Sequence, residues 1–208
     1  MPKNYNFRKY QPLNLRIWHW LNALVILGLL GTVLLRKTFL SWRSNAKLIE
    51  ERISATGATI TPEVAGKIAK EMRDNMWDWH VYLGFALGAL LIYRVIVYFK
   101  NRKMILAPSV SSKSSPPSRV WHYNLVKTSY AFFYLAVLFM VITGLILNFE
   151  ESLHLGEGLE DLIKEAHELM QWFFIVFVVG HIAGVVIAEN QKDRGLVSDM
   201  INGGDKPS

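Results

Sequence analysis

The 208-residue sequence predicts an all-α fold: an integral membrane bundle of four helices, with both termini cytoplasmic and a long outer connection between the first two helices. Three observations predict it. Half of the residues are hydrophobic (51%), although 19% are charged, so the charges must be segregated. Apart from Arg94 they avoid four apolar runs, 17–35, 79–99, 129–147 and 169–188, each of about 20 residues, the length a helix needs to cross a bilayer. The segments between the runs also differ sharply in charge sign. The whole chain, 1–208, reads as one membrane domain with helices at about 14–36, 76–100, 122–148 and 160–190.

The first run follows Lys3, Arg8, Lys9 and Arg16 with no acid among them. It is too long for a cleaved signal peptide, lacks a small-residue cleavage site, and is interrupted at its start by Trp18-His19-Trp20. The connection 36–78 is long and mixed in sign, and its stretch 44–70 has enough alternating polar and aliphatic residues to fold as short helices. The second run carries one internal charge, Arg94. The linker 100–127 holds six basic residues and no acid, and its Ser/Pro cluster at 108–117 is expected to be a flexible loop. The connection 149–168 holds seven acids against Lys164 alone. Positive loops stay inside, so the N-terminus, the linker and the C-terminus are placed in the cytoplasm and the other two connections outside. Trp18, Trp20, Trp77, Trp79, Tyr98, Trp121 and Tyr123 lie at run ends, as interfacial belts require. In this setting the net charge of +6 reads as topology rather than as affinity for nucleic acid.

His167 and His181 lie fourteen residues apart on the fourth helix. That spacing rises roughly 21 Å and returns to within about 40° of one face, so the two imidazoles look the same way from two depths. Neutral imidazole grips haem iron, and one helix with ligands at two depths fits two stacked haems. Helix one starts inside, which puts His19 level with His181. Helices two and four start outside, which puts His80 level with His167. Four histidines thus fall into two matched pairs. A single histidine near a helix end is more often an interfacial residue held by headgroups or a backbone carbonyl, and the joint pairing is what lifts the haem reading above that alternative. His154, in the acidic connection, has no level partner and is expected to be solvated. His122 opens helix three, where a helix-start role competes with contact to a quinone or a haem propionate.

Arg94 follows His80 by fourteen residues, so it falls on the same face one haem level inward. It suits a propionate of the inner haem, the alternative being snorkelling to the headgroups. Arg16, one turn before His19, is a weaker candidate of the same kind. Gly28, Gly31, Gly84, Gly88, Gly180 and Gly184 lie at helical spacings near the histidines, where they suit close helix packing and close approach to a flat macrocycle alike. The absence of cysteine excludes covalent haem attachment, iron–sulfur clusters and disulfides. Any haem is therefore non-covalent and of b type in the plainest case.

The segment Arg16-Ile17-Trp18-His19-Trp20-Leu21-Asn22-Ala23 resembles the first-helix signature of the bacterial cytochrome b561 and nickel–iron hydrogenase cytochrome b superfamily. His80-x3-Gly84 with Arg94 is similar to that family's second helix. Trp121-His122-Tyr123-Asn124 resembles its third-helix start with Tyr intervening between His and Asn, so no role is carried over to His122. His167-x13-His181 followed by the tail 195–203 resembles its fourth helix and C-terminus. The long first outer connection departs from the pattern. The resemblance implies a cytochrome of the bacterial inner membrane with two non-covalent b haems, axial ligands His19, His80, His167 and His181, and electron transfer involving the quinone pool. Its partners would be membrane lipid, quinone and a redox subunit on the outer face, with room for a homodimer and no role for nucleic acid. A membrane subunit of a respiratory oxidoreductase is the first expectation. A free-standing superoxide:quinone oxidoreductase is the second, left open by Arg36, Lys37 and Arg43 at the margin of the outer connection, and a haem-free transporter or anchor is the third, opposed by the paired histidines. A quinone site is expected beside the His19–His181 haem, bordered by Arg94, Arg16, Asn22, His122 and Lys127.

Overall fold

The computed structural model describes residues 11–100, 117–190 and 195–204, and for 117–127 the backbone alone. Among these residues there are helices and no strands. In chain order they are α1 (Leu13–Lys37), α2 (Trp42–Ser54), α3 (Pro62–Lys100), α4 (Pro117–Asn148), α5 (Glu150–Leu153), α6 (Glu157–Asn190) and α7 (Leu196–Asn202). The four long ones, α1, α3, α4 and α6, are each long and apolar enough to cross a membrane. Their large side chains are widely exposed, among them Leu24, Ile92, Leu135 and Val176. A surface of that kind suits lipid rather than water. The Ser/Pro cluster at 108–117 falls outside the described residues except for Pro117, which opens α4.

The chain divides into two compact units, residues 23–87 and residues 1–22 with 88–208. In the first, α2 packs on the start of α3. Ala65 and Ala69 are fully buried with Ala46, and Trp42, Ile49 and Ile60 close over them. Small residues let the two helices approach closely, and the Trp42 ring carries the cations Arg43 and Lys70 at 5.0 and 4.9 Å. Gly57, at φ 81°, supplies the left-handed residue that the turn after α2 needs. Thr61 then caps α3, its hydroxyl accepting the Val64 N–H at 3.3 Å, and Pro62 follows at the first helical position.

The stretch 44–70, expected to form short helices within a loop, therefore contains one short helix and the beginning of a long one. Hydropathy marks only where α3 becomes apolar. Its helix starts earlier because nothing from 63 to 78 breaks it. At 39 residues α3 is about 58 Å long, roughly twice the hydrocarbon thickness. In the same unit, a Cβ at Gly28 would meet Leu83 Cδ1 at 3.0 Å, so α1 and α3 touch almost backbone to side chain there.

In the second unit α4 packs on α6 through Phe133, whose ring lies 4.6 Å from Phe177 and 6.0 Å from Phe174. The tail folds back on the start of α1. The Gln11 N–H donates to Gly203 O at 2.8 Å, the Trp20 indole to Met200 O at 3.2 Å, and the Arg16 guanidinium to Ile201 O. Glu189 accepts the Gly195 N–H at 2.7 Å and so fixes the turn into α7.

Candidate functional site

His19 on α1 and His181 on α6 belong to one unit, and their ring centroids lie 6.2 Å apart at 54°. The Trp20 ring meets His19 edge-on at 5.2 Å, and Phe177 lies parallel to His181 at 6.2 Å. His19 Nδ1 is buried without a hydrogen-bond partner. A Cβ at Gly180 or Gly184, on either side of His181, would meet open space, so a flat group can lie close against the α6 backbone. Two imidazoles bound to one metal at about 2 Å each would put their centroids roughly 6 Å apart, which agrees with the separation found. Among the described residues no three His, Asp or Glu side chains gather as a metal site. Two imidazoles without further protein ligands suit a metal whose other ligands come from a macrocycle.

Arg94, on α3, meets Trp18, the residue before His19. Its Nε donates to Tyr134 Oη at 2.9 Å, and its guanidinium lies 5.1 Å from the Trp18 ring and 5.7 Å from the Tyr134 ring. Its Nη1 is buried with no hydrogen-bond partner. Held in this way between two aromatic rings, the side chain keeps one donor for an anionic group. Trp18 is itself fixed by its indole N–H, which donates to Leu90 O at 2.9 Å. Arg16 is engaged with the tail carbonyl of Ile201, a strut between α1 and α7, while its Nε is buried without a hydrogen-bond partner.

The other two ligand candidates, His80 and His167, lie in different units. His80 on α3 stacks on Trp77 at 4.4 Å with the rings 4° from parallel, and the Arg36 guanidinium lies 4.2 Å from the Trp77 ring centroid. Thr32 Oγ1, on α1, is 2.8 Å from His80 Nδ1. In the second unit Thr143 Oγ1, on α4, is 2.7 Å from His167 Nδ1, and a Cβ at Gly144 would meet His167 Cε1 at 3.4 Å. His154 is exposed in a left-handed turn after α5, its Nδ1 3.1 Å from Ser152 O. The side chains of His122 and Lys127 fall outside the described residues.

A family model described as prokaryotic cytochrome b561 matches residues 10–203. The chain belongs to the prokaryotic cytochrome b561 family. No curated protein and no solved structure gives a match. Membership in the cytochrome b561 family makes this a multi-pass membrane protein that binds b-type haem and transfers electrons.

Sequence reasoning passed over Thr32, Thr143, and the Trp18–Tyr134 clasp on Arg94. A signal for the threonines was present. Thr32 is the only hydroxyl in the run 17–35, and Gly31-Thr32 and Thr143-Gly144 each set a threonine beside a glycine.

Proposed function

We propose that the chain is a di-haem b cytochrome of the bacterial inner membrane, relaying electrons between a redox partner at the outer face and the quinone pool as the membrane subunit of a respiratory oxidoreductase. The observation that supports it best is the approach of His19 to His181, 6.2 Å between centroids, at a separation that suits two axial imidazoles. In this reading His19 and His181 hold the inner haem and His80 and His167 the outer one. A b haem held by two imidazoles supplies one-electron transfer and offers no open iron position to oxygen. Arg94 sets a positive charge and a spare donor beside the inner level, where a propionate needs both. The quinone site lies at that same level, bordered by Arg94, Arg16 and Asn22 together with His122 and Lys127, and draws its protons from the cytoplasmic side.

Purified protein is expected to give two equivalents of b haem per chain by pyridine haemochrome, with a low-spin resting spectrum. One equivalent, or a high-spin spectrum, overturns the four-ligand assignment. His80→Ala or His167→Ala should remove one redox transition, and His19→Ala or His181→Ala the other. If His19→Ala and His80→Ala abolish the same transition, the pairing is wrong.

The alternative is a free-standing superoxide:quinone oxidoreductase. Arg36, Lys37 and Arg43, clustered at the end of α1 and the start of α2, favour an anionic substrate there. Co-purification from native membranes separates the two. A large redox subunit retained with the haem-loaded chain supports the first, and superoxide-dependent quinone reduction by the isolated chain supports the second.

A further inference from the structure

Thr32 and Thr143 are both buried, 8% and 6% exposed, and both occupy the same chemical position. Each lies one helix away from a histidine of the outer pair, with its hydroxyl oxygen on that histidine's Nδ1, at 2.8 Å in one unit and 2.7 Å in the other. A hydroxyl has one proton. Thr32 gives it to Leu29 O, at 2.7 Å, within its own helix. Thr143 gives it to Phe139 O, at 2.8 Å, with Met140 O sharing it at 3.3 Å. With the proton committed to a backbone carbonyl, the oxygen can only accept. The histidine must then donate from Nδ1–H, which leaves the ring lone pair on Nε2.

We infer that Thr32 and Thr143 are positioning residues that fix the tautomer and orientation of His80 and His167 for axial ligation through Nε2, and that they lower the reduction potential of the haem these histidines hold. The inference rests on the four-ligand reading above. The physical link is the acceptor behind the imidazole. An oxygen that takes the Nδ1–H bond makes the ring a stronger donor through Nε2 and so favours the ferric state. Among the described residues His19 lacks the device. His19 Nδ1 is buried without a partner. The two levels of the membrane are thus tuned differently, with the threonine-backed level at the lower potential. The close helix approaches that allow the contacts lie beside each threonine: Gly28 against Leu83 one turn before Thr32, and Gly144 against His167 next to Thr143.

The test uses the full-length, haem-loaded chain in detergent or nanodiscs. Thr32→Val and Thr143→Val keep the side-chain shape and remove the acceptor, and Thr32→Ser and Thr143→Ser restore it. Second-neighbour partners of metal ligands are typically worth 10–100-fold. The expected loss of ferric preference is at least about tenfold, or 59 mV upward for a one-electron couple. Each valine variant should raise one transition in a spectroscopic redox titration, and each serine variant should return it towards the starting value. If both valine variants move the same transition and spare the other, the inference holds together with the pairing of His80 and His167. If they move different transitions, the threonine role holds and the pairing fails. With two haems bound and no transition moved by either valine variant, the inference is overturned while the di-haem reading stands. A serine variant that behaves like valine overturns it as well, because the hydroxyl would then not be the cause.

Discussion

At the scale of single residues, the surroundings of Arg94 differ from those of a snorkelling arginine. A snorkelling arginine reaches out to headgroups and leaves its donors wet. Here Nε is given to Tyr134, the guanidinium lies against Trp18, and Nη1 is buried. Arg94→Gln should therefore lower the midpoint potential of the His19–His181 transition, because a cation nearby favours the added electron. A shift worth on the order of 1–2 kcal/mol is expected, in the direction opposite to the valine variants of Thr32 and Thr143. A redox titration that finds the inner transition unmoved removes Arg94 from the haem environment. The fourteen-residue spacing from His80 pointed to Arg94 in the sequence because helical periodicity is readable from one chain. The residues that clasp it were not readable. Trp18 and Tyr134 come from two other helices, and only packing sets them around one guanidinium.

At the scale of elements, the apolar spans were legible because bilayer thickness fixes their length. The polar approach to α3 was less so. Its cap signals, Thr61 followed by Pro62 and Glu63, stand in the sequence, yet hydropathy gives no reason to join them to the apolar run 17 residues further on. What joins them is helix propensity across 63–78 and the burial of Ala65 and Ala69 against Trp42. Overpacking there tests the hairpin directly. Ala65→Leu puts three extra carbons where there is no exposed surface, at a cost of about 1–3 kcal/mol. Faster proteolysis within α2 and the turn after it is expected, with the haem spectrum of the His19–His181 level unchanged. Resistance equal to the parent chain would mean that α2 does not depend on that packing.

At the scale of the whole molecule, four helices are long and apolar enough to cross a membrane, and if each crosses once the C-terminus returns to the face where the chain began. The tail meets the start of α1 as such an arrangement requires: Gln11 N–H on Gly203 O, Trp20 on Met200 O, Arg16 on Ile201 O. With the basic linker setting the sign, fusion reporters at either terminus should report the cytoplasm. A terminal reporter active in the periplasm would reverse the orientation and exchange the inner and outer levels. The length of α3 also bears on how a partner would be felt. From Ala65, packed under Trp42, to His80, stacked on Trp77, the backbone is one unbroken helix, about 22 Å of rise without a joint. A helix of that kind does not flex locally to absorb a push. Any body that grips the α2–α3 hairpin holds the far end of a stiff shaft whose other part carries His80, a ligand in the proposed reading, so tilting the hairpin would turn His80 with it.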